Sequence, residues 1–151
     1  MEGLFLCGNS PFVFCLKTII MKPPIHTNTK VKKAEEASIT LVKEQLTAYN
    51  NRDIEAFLKP FSENVKGYNY PDQIFFDGKE EMRTVYSRLF AACPNLHCKT
   101  ISRTVFNNIV IDKELVTGMK DENAIPYFLA IYKIESGKIS EVRFISYLEQ
   151  N

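Results

Sequence analysis

Tryptophan is missing from this chain, histidine nearly so, and neither sign of charge predominates. Lys and Arg number 19 against 18 Asp and Glu, a net charge of +1. With no basic stripe interleaved with aromatics, a nucleic-acid partner is not expected. His26 and His97 are the only histidines, too few for a His-rich metal site. Long apolar runs are missing as well. Lys17 interrupts the one segment that comes near, so nothing approaches the ~20 residues of a membrane span. Cysteines at 7, 15, 93 and 98 lack the spacing of a disulfide framework. Free thiols in a reducing, cytoplasmic compartment are therefore expected. No internal repeat or low-complexity tract occurs.

What remains is ordinary for one globular domain. Hydrophobic residues make up 45% of 151 and charged residues 25%, enough to bury a sizeable core. Residues 1–35 read differently from the rest. Leu4-Phe5-Leu6-Cys7 and Phe12-Val13-Phe14-Cys15-Leu16 are apolar but are separated by Gly8-Asn9-Ser10-Pro11. As an export signal the segment is poor, because Glu2 replaces the positive start, Lys17 follows the second run and no small-x-small site follows. A poorly ordered extension is expected, with Met21 as an alternative start, ahead of a domain over 36–149.

Three helices are expected next. The first runs from Val31 or Ser38 to Tyr49, where Ile39, Val42, Leu46 and Tyr49 recur at helical steps with the polar Gln45 on the same stripe. Asn50-Asn51-Arg52 should break that helix, since Asn tolerates left-handed backbone. Asp53 is placed to cap a short helix from Ile54 to about Phe61, ended by Ser62-Glu63-Asn64. Asp77 and Glu80 have the spacing of a capping box. They introduce a helix over Gly78–Ala92 with Met82, Val85, Tyr86, Leu89, Phe90 and Cys93 facing a core.

Two hairpins follow. Asn107-Asn108 suits a two-residue loop. That register sets Val105 opposite Val110, Arg103 opposite Asp112 and Ile101 opposite Glu114. Glu135-Ser136-Gly137 suggests a three-residue loop with a bulge between strands Tyr127–Ile134 and Lys138–Tyr147. These last strands are apolar on both faces. One face fits helices and the other a second copy of the chain, so a homodimer is expected.

The pieces Ala48-Tyr49-Asn50-x-x-Asp53-Ile54-Glu55-Ala56, Asp77-Gly78-Lys79-Glu80, Arg103 with Val110-Ile111-Asp112, and Ile134-x-x-Gly137-Lys138-Ile139 carry a resemblance. In that order and spacing the chain resembles the nuclear transport factor 2-like superfamily, within it the SnoaL-like and ketosteroid-isomerase-like proteins. The resemblance implies an α+β fold, a cone-shaped α+β barrel of three N-terminal helices on a strongly curved, mostly antiparallel sheet. It also implies an apolar pocket between them.

Ketosteroid isomerase chemistry needs a carboxylate base, a tyrosine and a protonated acid. The matching positions here are Asn69, Gln45 and Ala130, and none can fill its role. The isomerase reading fails. Relatives of the limonene-epoxide-hydrolase type use an Arg with two carboxylates, which directs attention to Arg103, Asp112 and Glu114. The competing reading is an ordinary cross-strand ion pair on the outward or dimer face. It is favoured, because Thr104, Phe106, Ile109, Ile111 and Leu115 make the other face more apolar. His97, beside Cys98 and four positions from Cys93, could exchange protons near neutrality but lacks partners for a metal. Asp72 could serve as a displaced base.

Gln45, Tyr49, Asn69 and Tyr86 converge on the pocket in the family and could form a neutral hydrogen-bonding site. Other tyrosines, Tyr132 among them, read as core residues with locally satisfied hydroxyls. The expected function is binding of a small hydrophobic ketone, polyketide or epoxide-like molecule, without metal or cofactor. The alternative is a non-catalytic association module whose pocket is filled by Phe57, Phe61, Phe90 and Tyr86.

Overall fold

The first helix, α1, spans Thr29–Asn51. Its fully buried line is Ser38, Val42, Gln45 and Ala48, so Ile39, Leu46 and Tyr49 flank the stripe rather than form it. The computed structural model of the protein describes residues 29–120 and 127–147. The helix begins close to the earlier of the two expected starts, Val31 rather than Ser38, so residues 29–35 belong to α1 and not to the extension; the reading of residues 1–28 lies outside the described part. The break after α1 falls as expected, but Arg52 takes the left-handed conformation, at φ +55°. Asn50 is used otherwise. Its amide donates to the Cys98 carbonyl at 2.9 Å and accepts from the Cys98 N–H at 2.7 Å. The Arg52 guanidinium bonds the Leu96 carbonyl at 3.1 Å. Both contacts fasten the end of α1 to the sheet.

Asp53 caps α2 (Ile54–Leu58), accepting from the Ala56 N–H at 3.0 Å. Pro60 cannot continue the ladder of helical donors, and the chain turns straight into β1 (Phe61–Asn69). Ser62, Glu63 and Asn64 are therefore strand residues, not a helix terminus. β2 (Gln73–Asp77) pairs back on β1, and α3 covers Lys79–Ala92. The expected capping box is not formed. Gly78 is the N-cap, Glu81 accepts from the Asp77 N–H at 2.8 Å, and the Asp77 carboxylate pairs with Lys66.

β3 (His97–Phe106), β4 (Ile109–Thr117), β5 (Tyr127–Glu135) and β6 (Lys138–Tyr147) complete a six-stranded sheet in the order β2-β1-β6-β5-β4-β3. Only β1 and β6 run parallel. The sheet stays open, with β2 and β3 as its edges. Val105 faces Val110 and Arg103 faces Asp112, as the turn predicted, with Asn107 at φ +56°. A bulge then ejects Ile101 to solvent, so Thr100 rather than Ile101 faces Glu114. The second hairpin turns on Ser136 and Gly137 alone, both at positive φ, with Glu135 paired to Lys138. Two such residues make the turn whose twist suits the strands, so no third is needed.

Helices and sheet meet in an aromatic core. The Phe57 ring lies 4.6 Å from Tyr86, 5.4 Å from Phe61 and 5.7 Å from Phe90, measured between centroids. Phe76 is completely buried and lies over Gly67, where an added Cβ would come within 2.3 Å of the Phe76 ring. Gly67→Ala should therefore cost about 1–3 kcal/mol by overpacking. Urea unfolding would measure it, and an unchanged midpoint would mean that Phe76 finds room elsewhere.

Candidate functional site

Burial alternates along β4: Val110, Asp112, Glu114 and Val116 are buried, while Ile109, Ile111 and Leu115 are only half-buried. This reverses the expected orientation of the hairpin. The face that carries the carboxylates meets the helices, and the face that is richer in apolar side chains points away. Arg103 holds Asp112 in a bidentate pair, Nε to Oδ1 at 2.7 Å and Nη2 to Oδ2 at 2.5 Å. Asp112 is completely buried. The outward ion pair is thus an inward one. Asp112 also faces Ala130 across the β4–β5 ladder.

Between α1, α3 and the sheet lies a cavity of about 230 Å³. Its wall includes Gln45, Tyr49, Asn69 and Tyr86, the four residues grouped above, together with Glu114, Tyr132 and Cys98. Asn69 is exposed at the rim, and Gln45 is buried. The remaining lining is apolar, from Leu46, Met82 and Leu89 to Phe128 and Phe144. Arg103 and Asp112 stand behind Glu114 and do not line the cavity. His97 is exposed at the start of β3, and Asp72 is exposed and pairs with Arg143 at 2.9 Å. Neither reaches the cavity wall.

Glu114 is the focus of the polar groups. Gln45 Nε2 donates to the Tyr132 hydroxyl at 3.1 Å, and that hydroxyl donates to Glu114 Oε1 at 3.2 Å. The Cys98 thiol also bonds the carboxyl. Burial pushes the Glu114 carboxyl up to about 7, and the charge of Asp112, two residues earlier on the same face, adds to this. The hydrogen bonds from Tyr132 and Cys98, and the more distant Arg103, pull the other way without reversing it. Desolvation dominates because the charged form loses its water. The same burial holds the Tyr49, Tyr86 and Tyr132 phenols and the Cys98 thiol firmly protonated. Glu114 is the lining side chain able to gain or lose a proton near neutrality.

Sequence reasoning missed Tyr132 and Cys98 as parts of this site. The available signal was positional: Tyr132 shares the inward face of β5 with Ala130, and Cys98 lies two residues from Thr100, the partner of Glu114. Among the described residues no group of three or more His, Cys, Asp or Glu could hold a metal ion.

An open mixed sheet wrapped by helices over an apolar cavity defines an α+β protein of the cystatin-like, nuclear transport factor 2-like class. The model of the SnoaL-like domain matches residues 42–142, and the chain belongs to that family. An uncharacterised cystatin-fold protein from Novosphingobium aromaticivorans shares 25% identity at a TM-score of 0.65, covering 72% of this chain and 97% of that one. A SnoaL-like protein of unknown function from Burkholderia thailandensis shares 13% at 0.65, covering 76% and 97%. An LEH-like epoxide hydrolase from M. tuberculosis shares 13% at 0.64, covering 75% and 84%. No curated protein matches the chain.

Proposed function

We propose that this protein binds a small, largely apolar molecule in the cavity and that Glu114 exchanges a proton with it. The ligand class is a hydrophobic ketone, polyketide or epoxide-like compound. The observation that carries this reading is one buried carboxyl set in an otherwise uncharged, largely apolar wall, where burial pushes its pKa up to about 7. Gln45 and Tyr132 hold that carboxyl in place. Tyr49, Tyr86 and Asn69 offer hydrogen bonds to oxygen atoms on the ligand. The epoxide hydrolase among the similar structures is consistent with such a ligand, although at 13% identity it speaks for the fold alone.

The competing association-module reading required Phe57, Phe61, Phe90 and Tyr86 to fill the pocket. Phe57, Phe61 and Tyr86 line open space instead, which favours the binding reading. Pairing of two copies is a further part of the proposal. Ile111, Leu129, Ile131 and Ile145 leave an apolar strip half-covered on the outer sheet face, suited to self-association.

Native mass spectrometry of protein purified gently from its own host tests both parts. A dimer carrying a co-purified small molecule is expected. Added ligand at ~100 times its Kd should then raise stability by about 2.7 kcal/mol. A ligand-free protein that shows no thermal shift across ketones, polyketides and epoxides would return the association module to the front.

A further inference from the structure

Among the described residues Glu114 has hydrogen bonds but no ion-pair partner of its own. Asp112 already engages the Arg103 guanidinium at two points, at 2.7 and 2.5 Å. Among the described residues that line the cavity, none is Lys, Arg or His. The Gln45–Tyr132–Glu114 chain is directed, the Gln45 N–H donating to the Tyr132 hydroxyl and that O–H donating to the carboxyl oxygen. Hydrogen bonds of that sense support an ionised acceptor. The carboxyl thus has the hydrogen-bonding partners of an anion while its counter-charge is left to whatever enters. Tyr49, Phe57, Phe75, Tyr86, Phe128 and Phe144 supply rings around the same space, and aromatic faces attract cations.

We infer that the ligand carries a basic nitrogen, whose ammonium pairs with the Glu114 carboxylate inside the aromatic cavity. This rests on the cavity being a ligand site and adds a basic nitrogen to the ketone-, polyketide- or epoxide-like compound proposed for it. A carboxylate or phosphate ligand is disfavoured, since it would face the Glu114 carboxylate with no Lys, Arg or His among the described lining residues to receive it. The proton balance is simple. A free amine takes the proton of a neutral Glu114 and becomes the ammonium; an ammonium arriving at neutral Glu114 sends that proton to the buffer. An ammonium arriving at ionised Glu114 releases none.

The test is calorimetric titration of the full chain with three probes on one ring system: naphthalenemethylamine, naphthalenemethanol and naphthoate. At about pH 8, where Glu114 is ionised, the amine should bind roughly tenfold or more tighter than the alcohol, and the acid should bind worst. In E114Q the amine-to-alcohol ratio should fall toward one. A second measurement needs no variant. As pH falls through Glu114 titration, proton release on amine binding should appear in buffers of different ionisation enthalpy. The charged or titratable groups facing Glu114 are Asp112 and Arg103 on its hairpin, Cys98 on β3, Tyr132 on β5, Tyr49 on α1 and Tyr86 on α3. Burial keeps the tyrosines and the thiol protonated over this range, so the released proton reports on Glu114. Equal or better binding of the alcohol would overturn the inference and leave the ligand site standing. A preference for amine that survives in E114Q, without pH-linked proton release, would also overturn it. If no probe binds at all, inference and ligand site both fall.

Discussion

Replacing Asp112 by alanine should cost the fold about 3–5 kcal/mol, the size expected when one partner of a buried ion pair is removed. Asp112 is completely buried, and the Arg103 side chain is only 14% exposed. Alanine would leave the guanidinium inside the sheet with two of its donors unmatched, and both charge and hydrogen bonding would go unsatisfied. The pair as a whole is a different matter. Burying two charges costs much of what their attraction returns, so removing both need not hurt. The double variant Arg103→Met, Asp112→Ala should therefore recover a large part of the loss. Urea unfolding of the three variants measures this directly. A single-variant loss below about 1 kcal/mol would mean that Arg103 swings out to water and that the pair behaves like a surface bridge.

That pair also marks the limit of what could be read from the residues. The turn at Asn107-Asn108 fixed the partnership of Arg103 and Asp112 without any tertiary information, because a two-residue loop leaves one register. Which face of the hairpin looks inward was not decided there. Counting apolar side chains chose Ile109, Ile111 and Leu115. The helices instead cover Val110, Asp112, Glu114 and Val116. Local hydrophobicity misled because the outer face of this sheet is apolar as well, and because Arg103 neutralises Asp112 from the neighbouring strand. A carboxylate that arrives with its own cation is not an outward signal. The bulge at Ile101 was hidden as well, since one extra residue on an edge strand shifts the register beyond it by one without ending the ladder. Helical periodicity fared better on α3, where Met82, Tyr86 and Phe90 are the buried residues. It was off by part of a turn on α1, where Gln45 is buried through its bond to Tyr132 rather than by hydrophobicity. The cavity residues Gln45, Tyr49, Asn69 and Tyr86 came from resemblance, whereas Tyr132 needed the sheet register before it could be placed.

The pH dependence of stability should change sharply in Glu114→Gln. In the unfolded chain this carboxyl releases its proton near the ordinary 4.5, and in the folded protein near 7. Between those values the folded chain holds a proton that the unfolded chain has lost. Stability linked to Glu114 is therefore complete below about pH 4.5, falls as pH rises toward 7, and is flat above. A displacement of that size corresponds to roughly 3 kcal/mol. Glutamine keeps the shape and stays neutral throughout. Against wild type, the variant should gain roughly 2–3 kcal/mol in relative stability between about pH 5 and about pH 8, whatever constant offset the substitution brings. Taking the difference removes the titration of other carboxylates, which the two proteins share. Urea unfolding at the two pH values decides the matter, and parallel curves would mean that Glu114 ionises as an exposed glutamate does. The sign matters for function. A protein that is less stable with Glu114 charged gains most from a partner that compensates that charge. A cationic ligand should accordingly stabilise wild type more at the higher pH than at the lower, and a neutral one should do the reverse.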